Sequence, residues 1–268
     1  MTWALRSSQI GWFAEDFMSE AAVHLPDAQY LSAVEREEEM ARLEAQAQKR
    51  KSMLVFGPEG VGKTRLLHVF VERHPLALYV PRISTPRDLM LSLMGGLRNL
   101  DDREMRLPAN PRPLSTPSLK GIVLRALTVH PFVLVLDHLA GPSRVITGII
   151  KEFTDYGKRP VIFAARSPHM EDIGTLQPLC PDRSERLEVK NLAPSVAVDF
   201  ARREAERAGL WASNLEPALR SFVEWSQGNP GSILQMLRMT TDARYRMGDQ
   251  IKAHILWLDF RMGRQKPR

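Results

Sequence analysis

A single cysteine, Cys180, is all that this 268-residue chain carries. One thiol excludes an internal disulfide framework and a cysteine zinc site, and with no base motif beside it Cys180 reads as a small packing residue. Long apolar runs are also missing. None reaches the roughly 20 residues that cross a bilayer, so no membrane partner is implied. The leading Met1-Thr2-Trp3-Ala4-Leu5-Arg6 lacks the basic-then-apolar order of a signal peptide, which implies a cytoplasmic protein. Internal repeats and low-complexity stretches are absent, which argues against a solenoid. No helix-turn-helix or zinc-finger spacing is present, so sequence-specific reading of DNA has no evident carrier.

What is present begins with bulk. At 44% hydrophobic residues the chain can bury one α/β core and a smaller satellite domain. The net charge is +6, unevenly spread. Residues 1–50 hold five Lys/Arg against nine Asp/Glu, a net −4. Residues 244–268 hold seven against two, a net +5, and the stretch between is also +5. An acidic start and a basic body fit self-association, an anionic polymer such as DNA, or merely solvated charged faces.

The most informative segment is Gly57-Pro58-Glu59-Gly60-Val61-Gly62-Lys63-Thr64, a complete GxxxxGK[ST] phosphate-binding loop. Glycine lets such a loop turn so tightly that several backbone N–H groups converge on one anion. The helix that follows presents its positive N-terminal end to the same phosphates. Lys63 supplies a point charge to the β and γ phosphates, and the Thr64 hydroxyl is placed to ligate Mg²⁺. Residues 52–56 read as a buried strand entering the loop and 65–71 as the helix leaving it. The implied ligand is a nucleoside triphosphate. No Asn/Thr-Lys-x-Asp guanine-reading motif follows a strand.

Further apolar runs at 76–80, 132–136 and 160–165, and a shorter one at 186–189, read as strands. Helical patterns at 143–156 and 195–208 separate or follow them, and a charged helix around 35–43 precedes the first. Alternating strands and helices predict a parallel-sheet P-loop core with helices on both faces, over residues 30–192. A small all-helical lid, 193–245, follows, interrupted by Gly228-Asn229-Pro230-Gly231. An aromatic arm (1–29) and a basic C-terminal tail (246–268) complete the expected organisation. Four prolines between Leu107 and Pro117 read as an irregular connection, with Pro86 as a separate breaker.

Asp137 closes the 132–136 strand, where a carboxylate can orient Mg²⁺ beside Thr64. His138 follows, where hydrolytic ATPases of this layout usually place a glutamate to polarise water. Histidine can accept a proton but is a poorer fixed negative partner, so slow hydrolysis is expected. Arg166 follows the 160–165 strand and would reach toward a γ-phosphate. Arg183 and Arg186 precede the last strand, from which an arginine can enter a neighbouring subunit's site.

Taken together, Glu35-Arg36-Glu37, GPEGVGKT, VLVLDH, VIFAARS, LEVKNL and GNPGSI resemble the AAA+/STAND branch of P-loop ATPases over roughly residues 30–240. That branch includes NB-ARC- and NACHT-like signalling switches, replication initiators and ATPases that regulate transposition. The resemblance implies ATP as the nucleotide, Arg166 as a sensor arginine, and Pro230, with Asn229 beside it, as a lid contact to base or phosphates. Two positions depart from the pattern. His138 replaces an acid, and Gly231 stands where several DNA-associated members carry a sensor arginine. The expected function is an ATP-controlled, DNA-associated regulator, probing DNA non-specifically through its basic surface and forming homo-oligomers. A STAND-type switch acting through a protein partner is the alternative, and a small-molecule kinase would need an arginine-bearing lid within the core.

Overall fold

The computed structural model describes residues 36–99, 107–157 and 159–264. The expected aromatic arm and the last four residues lie outside them. Helix α1 (Glu37–Gln48) opens with three glutamates, which suit the positive helix N-terminus, and buries Met40 and Leu43. Strand β1 (Met53–Phe56) leads through the glycine loop into α2 (Lys63–Arg73), and β2 (Ala77–Val80) follows. Helices α3 (Pro86–Arg98) and α4 (Thr116–Val129) precede β3 (Val133–Leu139). Then come α5 (Arg144–Gly157), β4 (Val161–Ala165), the short α6 (Met170–Ile173) and β5 (Arg186–Glu188).

The five strands form one parallel sheet in the order β2-β3-β4-β1-β5. Both faces are covered, which explains the unbroken apolar runs. Strand pleating sends Leu54, Leu78, Leu134, Leu136, Val161 and Phe163 toward α3, α4 and α5. It sends Met53, Val55, Val135, Ile162 and Ala164 toward α1 and α2. This is the P-loop core expected from the sequence.

Two prolines were misleading. Pro86 does not break structure; it occupies the first turn of α3, behind a reciprocal capping box between Thr85 and Asp88. Pro117 likewise sits in the first turn of α4, whose cap is Ser115. The proline-rich connection therefore ends at Ser115, two residues short of its expected limit.

After β5 the chain is mainly helical: α7 (Pro194–Arg207), α8 (Leu215–Ser226) and α9 (Pro230–Met239). Residues 246–264 are folded rather than a tail. They form a two-stranded hairpin, β6 (Arg246–Met247) with β7 (Gln250–Ile251), and then α10 (Ala253–Arg264). The Asn214 carboxamide pairs with Ile251 through both its backbone N–H and C=O. Trp257 stacks on Trp225 and Phe260, with Leu256 and Phe260 buried. Core and lid belong to one compact unit. Among the described residues no helix is long and apolar enough to cross a membrane.

Candidate functional site

The phosphate loop sits at the carboxyl edge of the sheet, between β1 and α2. Its glycines Gly57, Gly60 and Gly62 all have positive φ. At Gly60 the requirement is double, because φ is +79° and a Cβ would lie 2.7 Å from the Asn229 side-chain oxygen. Lys63 opens α2 and folds back over the loop, donating to the Gly57 carbonyl at 2.7 Å and the Pro58 carbonyl at 2.9 Å. Burial holds its ammonium below the usual lysine range, while Asp137 and Glu59 act in the opposite direction.

Strand β3 does not stop at Asp137 but runs on to Leu139, with its pairing to β4 shifted between Leu136 and Leu139. Asp137 is buried, and one carboxylate oxygen accepts from the Tyr79 hydroxyl at 2.9 Å. The other accepts from the His138 backbone N–H at 2.8 Å. Burial and the adjacent Asp137 push the Tyr79 phenol far above its ordinary range, so it stays a proton donor. His68 packs edge-on against Tyr79, its imidazole lowered mainly by burial. Tyr79 escaped the sequence reading. Its one signal was a polar-tipped aromatic in an otherwise apolar strand that pairs with β3.

His138 has a left-handed backbone, φ +50°. Its Nε2 lies 3.3 Å from Thr64 Oγ1 and 3.5 Å from Asp137 Oδ2. Thr64, Asp137 and His138 therefore lie together at the end of β3. Hydroxyl and carboxylate oxygens are donors that suit a hard cation such as Mg²⁺. Among the described residues no group of three His, Cys, Asp or Glu is assembled for a metal, so a cation here would also need phosphate oxygens.

Arg166 follows β4 directly and is exposed, and the pairing of Ala165 with Phe56 puts it at the same end of the sheet as the phosphate loop. Arg183 and Arg186 lie elsewhere. Arg186 pairs with Leu54, at the amino end of β1 and away from the phosphate loop. Its guanidinium donates to the Cys180 carbonyl at 2.9 Å and the Pro181 carbonyl at 3.3 Å. Arg183 is exposed in the preceding turn. Neither reaches this chain's own loop.

The lid grips the loop through backbone. The Gly231 N–H donates to the Gly60 carbonyl at 2.8 Å. Asn229 donates to the Glu59 carbonyl at 3.0 Å and to Asn191 at 3.2 Å, while its side-chain oxygen caps α9 by accepting from the Ser232 N–H. Pro230 occupies the first turn of that helix. From the other side, Arg36 donates to the Val61 carbonyl at 3.2 Å and to the Lys190 carbonyl at 2.6 Å. The sequence assigned Asn229 to the nucleotide; the structure ties its carboxamide to the loop that would hold the nucleotide.

No protein-family model matches this chain, and no curated protein matches it. Solved structures do. It is similar to a Walker-type ATPase of Pyrococcus abyssi at TM-score 0.57 and 18% identity, covering 85% of this chain and 72% of that one. The Orc1 protein of Aeropyrum pernix, solved in complex with DNA, gives TM-score 0.60 at 16% identity, over 86% of this chain and 65% of that one. A STAND protein with a tetratricopeptide repeat sensor from Pyrococcus horikoshii gives TM-score 0.50 at 14% identity, over 85% of this chain. This chain spans 32% of that protein and just under two thirds of the Orc1 protein. The fold it shares with these structures is a P-loop core, a five-stranded parallel sheet flanked by helices, followed by a helical part.

Proposed function

We propose that this chain is an ATP-binding, slowly hydrolysing P-loop ATPase that acts as a nucleotide-dependent, DNA-associated regulator and forms homo-oligomers. The observation that carries the nucleotide reading is the convergence of Lys63, Thr64 and Asp137 at the N-terminus of α2, beneath a loop of glycines with positive φ. ATP phosphates would take over the Lys63 ammonium from the Gly57 and Pro58 carbonyls. Thr64 and Asp137 would hold Mg²⁺, which when bound neutralises charge on the β and γ oxygens. Tyr79 fixes the Asp137 carboxylate, and Arg166, exposed just after β4, would respond to the γ-phosphate. With an imidazole in the acid's place at 138, no fixed carboxylate orients the attacking water, so turnover is slow.

The lid is the element through which nucleotide state is read. Phosphates entering the loop would bind its N–H groups, and the same peptide segment carries the Glu59 and Gly60 carbonyls that accept from Asn229 and Gly231. Lid and loop thus respond to each other. Arg183 is the exposed cation available to a neighbouring subunit, since Arg186 is engaged within its own chain.

The DNA reading is supported by the net +5 of residues 244–268 and by the fold shared with an Orc1 protein solved on DNA. Such contact is electrostatic and strongly salt-dependent. A second reading has its own observation: Ile255, Leu258 and Met262 form an exposed apolar stripe on α10, which suits a protein partner. The test is retention of duplex DNA at low and moderate salt, with and without a non-hydrolysable ATP analogue. Nucleotide-dependent retention that weakens with salt supports the DNA reading, and no retention in any state favours the protein partner.

A further inference from the structure

We infer that His138 supplies a nitrogen ligand to the divalent cation of this site, beside Thr64 and Asp137, and so tilts the site from Mg²⁺ toward Mn²⁺-class transition cations. This rests on the nucleotide reading above and goes beyond it in assigning His138 to the metal rather than to the attacking water. Three observations point the same way. The first is proximity: Nε2 lies 3.3 Å from Thr64 Oγ1 and 3.5 Å from Asp137 Oδ2. Neighbouring ligands of an octahedral cation with bonds of about 2.1 Å stand about 3.0 Å apart, so both separations are close to those of groups sharing one ion.

The second observation is the strand itself. The β3–β4 register shifts between Leu136 and Leu139, and irregularities of this kind re-aim side chains beside functional sites. The third is the backbone of His138, left-handed at φ +50° in a residue with a Cβ. Such a conformation is disfavoured for an L-residue and persists where its surroundings impose it. Bulge and left-handed turn together bring the imidazole back over Thr64. A regular strand would alternate it onto the face opposite Asp137.

The chemistry then decides the ion. Threonine hydroxyl, carboxylate and phosphate oxygens suit Mg²⁺ and Mn²⁺ alike, whereas an imidazole nitrogen adds affinity mainly for transition cations. Nothing in this donor set requires a step other than ligand exchange: one water leaves the cation as Nε2 binds.

The test is pulsed electron-spin-echo spectroscopy of Mn²⁺ bound with a non-hydrolysable ATP analogue at pH 8, in the wild type, His138→Ala and His138→Glu. Coupling to ³¹P places the ion on the nucleotide phosphates, and coupling to ¹⁴N reports a bound imidazole. The wild type should show both. Both variants should keep ³¹P coupling, lose ¹⁴N coupling, and show a Mn²⁺-to-Mg²⁺ affinity ratio lowered several-fold. Phosphorus coupling without nitrogen coupling in the wild type overturns the inference and leaves the nucleotide reading standing. Nitrogen coupling that persists in His138→Ala also overturns it. Absence of both couplings in the wild type removes the nucleotide reading, and the inference with it.

Discussion

Replacing Gly231 with alanine sets two effects of opposite sign against each other. Gly231 lies in the first turn of α9, and in a helix alanine is favoured over glycine by up to about 1 kcal/mol. At this position, however, a Cβ would meet Gly60 Cα at 2.7 Å and the Gly60 carbonyl oxygen at 3.0 Å. Both are backbone atoms, so no rotamer relieves the contact. Relief requires the lid to step back from the loop, which gives up the 2.8 Å hydrogen bond between them. That bond is worth about 0.5–1.5 kcal/mol, and overpacking of this kind costs about 1–3 kcal/mol. Set against the helix gain, Gly231→Ala should destabilise the protein by about 0.5–4.5 kcal/mol. Urea titration should show a lower midpoint at unchanged slope, and a fluorescent ATP analogue should leave the variant faster than the wild type. A midpoint equal to or above that of the wild type would mean that alanine expresses its helix preference with no loop in contact, contrary to the close approach of α9 to Gly60.

Three other outcomes follow from the same geometry. His138→Glu restores a fixed carboxylate near the γ-phosphate, so steady-state ATPase rate should rise or hold; a fast wild-type enzyme that collapses on this change would mark the imidazole as a working base. Cys180 is buried and its thiol is pushed up to about 12, by burial first and Glu185 second, so at pH 8 it is protonated and shielded. Iodoacetamide should leave it unlabelled in the native protein and modify it only on unfolding, and rapid native labelling would contradict this packing. Truncation after Met262 removes Arg264, Lys266 and Arg268 while keeping the buried Leu256 and Phe260 of α10. If those cations face phosphates, the log–log salt slope of DNA binding should shrink by up to about 2.7 with ATP affinity unchanged; an unaltered slope would move the contact elsewhere.

The parts of the molecule that were legible in the sequence are those whose signal is carried by side chains in order along the chain. A strand buried on both faces must be apolar throughout, so β1 to β4 announce themselves, and the phosphate loop does so because its glycines and Lys63 are spaced by the ligand. Helices α3 and α4 were hidden by Pro86 and Pro117, which terminate helices from within but suit their first turn. Thr85 and Asp88, three apart, were the available correction. The folding of residues 246–264 was obscured by their basic residues, although Leu256 and Phe260, four apart and both buried, carry the helical period. Least legible was the grip of the lid on the loop, because its central bond runs from backbone to backbone. Gly231 read as the absence of an arginine. The structure gives it a reason of its own, since only a residue without Cβ allows α9 to approach Gly60 this closely.

ATP binding at the loop of Lys63 is measured by calorimetric titration of ATP in Mg²⁺ into the wild type and Lys63→Ala. The lost charge-assisted contact is worth about 1.5–3 kcal/mol, which corresponds to a fall in affinity of at least about tenfold. Saturable one-to-one binding by the wild type, weakened by that factor or more in a folded Lys63→Ala protein, is the predicted result. Equal affinity in the two proteins, or no binding by the wild type, would contradict it.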